Sequence, residues 1–125
     1  DLGVLLAEIY AGGEDWTFDV VVHGTTYFAT AHYETGSSVT YTGGKISHKT
    51  GTEVPLKGDT ILGAFKPGHD GTITMDIPLS VMGNPKPGTR IQEPMAYTDI
   101  NSALPFLSFA DAAGPSLDYS LGHAC

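Results

Sequence analysis

The chain of 125 residues has one cysteine, one tryptophan and six basic residues. Each shortage closes off a class. Cys125 has no second cysteine to meet, so no internal disulfide framework holds the fold. It is a free thiol, a link between chains, or half of a bridge to a residue outside this sequence. Six Lys and Arg stand against 14 Asp and Glu, a formal net charge of −8. That balance cannot replace the counterions of a nucleic-acid backbone, so duplex nucleic acid is excluded as a partner. An anionic membrane surface goes with it. No run of 18 apolar residues exists, so insertion into a membrane as a helix is not expected. Helical periodicity is also scarce, because no stretch sustains three turns of it.

What is present is turn chemistry and alternation. There are 16 glycines and 8 prolines, and strongly alternating segments lie between them. Trp16 to His23 places Trp16, Phe18, Val20 and Val22 on one face and Thr17, Asp19, Val21 and His23 on the other. Gly24-Thr25 is a turn signal, and Thr26 to Tyr33 resumes the pattern as the second arm of a hairpin. Ser38 to Thr42 is a short strand closed by Gly43-Gly44. Lys45 to Gly58 reads as a long loop or edge hairpin. Thr60 to Phe65 is a strand with Gly63 as a bulge or a point of close approach. Thr72 to Ile77 turns Ile73, Met75 and Ile77 inward. Arg90 to Thr98 is interrupted at Pro94, which indicates a sheet edge or a bulge. Val4 to Tyr10, Leu104 to Phe109 and Leu117 to Leu121 complete the set. The spacing predicts an all-β chain: a single domain over 1–125, folded as a two-sheet antiparallel sandwich or jelly roll of eight or nine strands.

Pro78 to Gly83 is the one exception to the strand pattern. Pro78 suits the first position of a helical turn, and Gly83 suits its left-handed stop. The turn is expected to fold Leu79 and Met82, or Val81, back as a plug on an open end of the sandwich.

The run from Gly71 to Ile91, GTITMDIPLSVMGNPKPGTRI, resembles a segment of C-terminal β-sandwich accessory domains in secreted subtilisin-like proteases and related extracellular proteins. The runs from Ser108 to Pro115 and from Leu117 to Gly122 are similar to the close of such domains. Gly24-Thr25-Thr26-Tyr27 and Tyr41-Thr42-Gly43-Gly44 fit the same plan. The match is scattered over residues 16–122, and its motifs are structural. The resemblance implies a secreted, jelly-roll-like module with no catalysis of its own, which stabilises or docks a larger extracellular protein and in some cases binds calcium. No catalytic domain accompanies it here, and the chain starts at Asp1 rather than at a methionine. The chain is therefore expected to be a piece processed or cut from a longer protein, or else to stand alone with a different role.

The chemistry-bearing residues agree with a non-enzyme. There is no Gly-x-Ser-x-Gly elbow, phosphate loop or Cys/His context. The five histidines lack metal-ligand spacing, although His23 and His32 could meet across the first hairpin. Calcium asks for hard oxygens on loops. The candidates are Glu14 and Asp15 after Gly12-Gly13, the Asp99/Asn101 pair, and Asp111 with Asp118 around a Gly-Pro turn. The same residue types form ordinary turns. Tyr27, Tyr33, Tyr41 and Tyr97 could stack on sugar rings. Asp19 and Asp76 read as solvated charges on outward strand faces.

Three functions fit. The first is the calcium-stabilised accessory module. The second is a structural subunit of an extracellular filament or surface layer, in which the apolar run Val4–Ile9 adds as a strand to a neighbour and Cys125 links chains. The third is a carbohydrate-binding module.

Overall fold

A computed structural model describes residues 13–34, 36–56, 61–67, 71–100, 110–114 and 117–122. It contains nine strands: β1 (Glu14–Val22), β2 (Thr25–Tyr33), β3 (Thr40–Ile46), β4 (Glu53–Pro55), β5 (Leu62–Lys66), β6 (Thr72–Asp76), β7 (Arg90–Ile100), β8 (Ala110–Ala113) and β9 (Tyr119–Ser120). One 3-10 turn, Leu79–Met82, separates β6 from β7. All pairings are antiparallel. The large sheet runs β4-β3-β2-β1-β7-β8, with β9 also on β7, and β5 and β6 pair with each other in a second sheet. The chain is an all-β sandwich. The expected strands at Val4–Ile9 and Leu104–Phe109 lie outside the described residues.

β1 and β2 form the predicted hairpin, closed by His23 and Gly24 with φ of 50° and 75°. Two successive positive φ values give the turn whose twist matches the strands it joins. The register pairs Trp16 with Ala31 and Val20 with Tyr27. Trp16, Phe18, Val20 and Val22 therefore share the inner face with the alternate residues of β2. Val20, Val22 and Met82 form one buried cluster, and Ala29, Ile61 and Val81 form another; Ile77 packs against both.

The plug after β6 is present, with a different cast. Val81 and Met82 are buried, while Leu79 is exposed. Pro78 caps the turn with ψ at 140°, and the turn proper begins at Leu79. Starting one residue later rotates Leu79 outward and directs Val81 and Met82 into the core.

Gly43-Gly44 does not close a strand, contrary to expectation; β3 passes through both. A Cβ at Gly43 would lie 2.8 Å from Ile61 Cδ1, and one at Gly44 would lie 2.2 Å from the Val54 carbonyl oxygen. The glycines are there because neighbouring chain comes too close for a side chain. Pro94 marks a bulge. The β1–β7 register shifts between Asp19 and Val21, and Glu93 has φ of 49°. β8 pairs with β7 after the bulge and β9 pairs before it.

Gly63 is the close-approach point of the small sheet. A Cβ there would sit 2.2 Å from the Tyr41 ring, so β5 rests directly on β3. Gly63→Ala is expected to push the small sheet off Tyr41 and cost about 1–3 kcal/mol, read as a lower urea midpoint with an unchanged slope. A wild-type midpoint would refute that seating.

Candidate functional site

Two features of the large sheet stand out, one on each face. The first is a groove of about 600 Å³ on the inner face. β5 lies over β3 and β6 reaches β2, so the second layer covers only part of the large sheet. Beyond β6 no further described strand lies over the inner face. Trp16 and Phe18 of β1, Ala96 of β7 and Ala113 of β8 line the groove, and Ile73 and Met75 of β6 form its side. Ala96 and Ala113 are directly opposed in the ladder and both are exposed. Small side chains there leave the groove deep. Phe65 of β5 packs against Trp16, with ring centroids 5.7 Å apart. Among the described residues, β6 has β5 as its only ladder partner. Among the described residues, then, its other edge offers backbone donors and acceptors beside an apolar floor that none of them covers.

The second feature is the outer face, where the acids gather. Asp15, Thr17, Asp19 and Val21 alternate along it. Thr17 and Thr30 join their hydroxyls at 2.8 Å across β1–β2. His32 Nδ1 meets Asp15 Oδ1 at 2.5 Å, and Nε2 lies 3.4 Å from Glu34 Oε1. The Asp15 hydrogen bond raises the His32 pKa, with Glu34 adding and burial opposing. Glu53, on edge strand β4, is raised by desolvation and then by the like charges of Asp19, Asp15 and Asp99. Burial, then Asp19 and Glu53, push Tyr97 up to about 12.

The sequence candidates for calcium are dispersed. Glu14 and Asp15 lie in β1 rather than on a loop, and burial raises Glu14. Asp99 is on β7, directly opposite Asp15. Asp111 lies in β8 opposite Thr98, and Asn101 falls outside the described residues. Asp118 sits elsewhere: it takes Arg90 Nη2 at 2.7 Å and accepts the Glu93 backbone N–H at 3.3 Å. The structure thus brings Asp15 and Asp99 together and leaves Asp118 as a clamp on the β7 bulge. Among the described residues, no three His, Cys, Asp or Glu side chains are grouped to hold a metal ion. His23 and His32 lie at opposite ends of their hairpin. The four tyrosines do not share one platform. Tyr27, Tyr33 and Tyr41 belong to the inner face by register, and Tyr97 is opposite Thr17 on the outer one.

Asp19 is the residue that pattern reading missed. Alternation makes it a solvated charge, yet it is 7% exposed and its Oδ1 has no hydrogen-bond partner. The available signal was Val21 on the same face together with Phe28 facing Asp19 across the ladder, both apolar on a side assumed wet.

Desolvation raises the Asp19 pKa from 3.8 to about 6. The folded state therefore holds a proton that the unfolded chain has lost between these values, and stability falls as pH rises through that window. The loss is on the order of 1–3 kcal/mol and is spread across the rise in pH from about 4 through about 6. Asp19→Asn is expected to remove this slope and to raise stability at pH 7.5 by about 1–3 kcal/mol. Urea titrations at pH 4 and 7.5 check it, and parallel slopes for the two proteins would refute it.

Comparison with protein-family models, with curated proteins and with solved structures finds no match, so the functional reading rests on the groove and the acidic face themselves.

Proposed function

We propose that this is a non-catalytic, extracellular β-sandwich module that docks through its open groove, as a structural subunit joining copies of itself by strand addition. The observation that carries the reading is the inner face of β1, β7 and β8 beside the outer edge of β6, which no other described residue covers or pairs with. One extended segment laid along β6 would pair its backbone and cover the apolar floor in a single step, which is how strand addition gains both affinity and specificity.

The occupant is the run Val4-Leu5-Leu6-Ala7-Glu8-Ile9-Tyr10 of a second copy. As a strand it is about 23 Å long at 3.3 Å per residue, enough to span the five residues of β6. Leu5, Ala7 and Ile9 fall on one face and suit a groove lined without a charged side chain.

A second reading keeps the groove and changes the donor. A larger secreted protein supplies the strand, and calcium stabilises the module. Asp15 and Asp99, opposite each other in the β1–β7 ladder, would supply two of the several oxygens calcium needs.

Light scattering across a concentration series separates the two. Self-assembly is expected to raise the mass with concentration. Ala113→Lys, an exposed groove position, should keep the protein monomeric and folded. A chain lacking residues 1–10 should bind the DLGVLLAEIY peptide and report it through Trp16, the only tryptophan. A full chain that stays monomeric, or Ala113→Lys assembling as before, would overturn the first reading. A melting temperature raised by calcium in such a monomer, and reversed by a chelator, would support the second.

A further inference from the structure

The groove leaves the outer face without a role, and that face holds a carboxylate in an unfavourable place. Asp19 is more than nine-tenths buried, and its Oδ1 lacks any hydrogen-bond partner. A buried, unpartnered acceptor costs about 1–3 kcal/mol, more when charged. Asp19 does not stand on a closed core. It lines a pocket of about 190 Å³ with Val20, Val21, Thr26, Glu93 and Met95. Val, Met and Thr side chains make up the rest of the lining, and the two acids that line it are buried Asp19 and exposed Glu93.

The position of Glu93 is fixed by strain and by a clamp. Glu93 has φ of 49°, a conformation that few residues with side chains adopt. Asp118 holds it there by accepting the Glu93 N–H and by pairing with Arg90. The same pairing occupies Arg90, the basic residue of β7, leaving Asp19 without it. Bulges of this kind re-aim side chains next to sites.

We propose that this pocket is a lysyl-binding site, in which the ammonium group of a lysine side chain from a partner protein pairs with Asp19 and Glu93. The chemistry selects that class. A four-carbon stem matches walls of Val, Met and Thr methyl groups, and its charged end meets the carboxylates. A charge-assisted hydrogen bond to the Asp19 carboxylate would offset the cost of its burial. A hard metal ion is the poorer fit, since it needs several oxygens and no three metal-binding side chains are grouped among the described residues. The surrounding acids, Glu53, Asp15 and Asp99, add a field that attracts cations. The site lies on the opposite face from the groove and does not depend on strand addition.

The test is an NMR titration of the full chain at pH 7.5 with Nα-acetyl-lysine methylamide. Saturable shifts are expected at the Asp19 carboxyl carbon and at the Val21, Thr26 and Glu93 amides. The norleucine analogue, which lacks the ammonium group, should give none. Asp19→Asn should weaken binding about tenfold or more, the loss expected for a hydrogen bond to a charged group. Its fold is checked by its own spectrum. Glu93→Gln should weaken binding less. Equal shifts with norleucine, or unchanged affinity in Asp19→Asn, would overturn the proposal. Putrescine binding where the lysine probe does not would point to free polyamines and overturn the lysyl assignment.

Discussion

The structure depends on β1 being both a central strand and a doubly packed one. It pairs along its whole length with β2 and, across a bulge, with β7. Val20 and Val22 are buried in the inner core, and Thr17 and Asp19 are buried on the other side. A strand fixed by two ladders and two packed faces cannot slip, because a shift of one residue would exchange its faces. The register of the other strands, the position of the groove and the burial of Asp19 all follow from it.

The two faces of this strand have opposite chemistry. Toward β7 and β8 no further described strand covers the inner one, and on the outer one the buried Oδ1 of Asp19 has no hydrogen-bond partner. Both are departures from what a chain selected only for stability would keep. An apolar floor beside a free strand edge invites pairing. A buried, unsatisfied acid invites a cation.

Alternation carried most of the fold. The inward set of Ile73, Met75 and Ile77, the β1–β2 hairpin and the Pro94 bulge are legible because period two and turn residues report local geometry directly. Gly43-Gly44 was misleading, since glycine marks a turn and a close approach equally well. Only the long-range seating of Ile61 and β4 decides between them. The candidate site was less legible for the same reason. The groove arises from what β5 and β6 fail to cover, and no local pattern encodes the extent of a neighbouring layer. Asp19 resembles any outward acid until Phe28 and Met95 are known to flank it. Asp15 and Asp99, 84 positions apart in sequence, become neighbours only through the β1–β7 ladder.

That ladder also bears on how the chain is made. β1 finds β2 after a two-residue turn, but β7 begins 68 residues after β1 ends. In N-to-C synthesis β1 is an edge, open to foreign strands, until the last third of the chain has appeared. Asp15 and Asp19 stand on that temporary edge, where charges discourage intermolecular pairing. The carboxylate that burdens the finished fold is thus a guard for the nascent one.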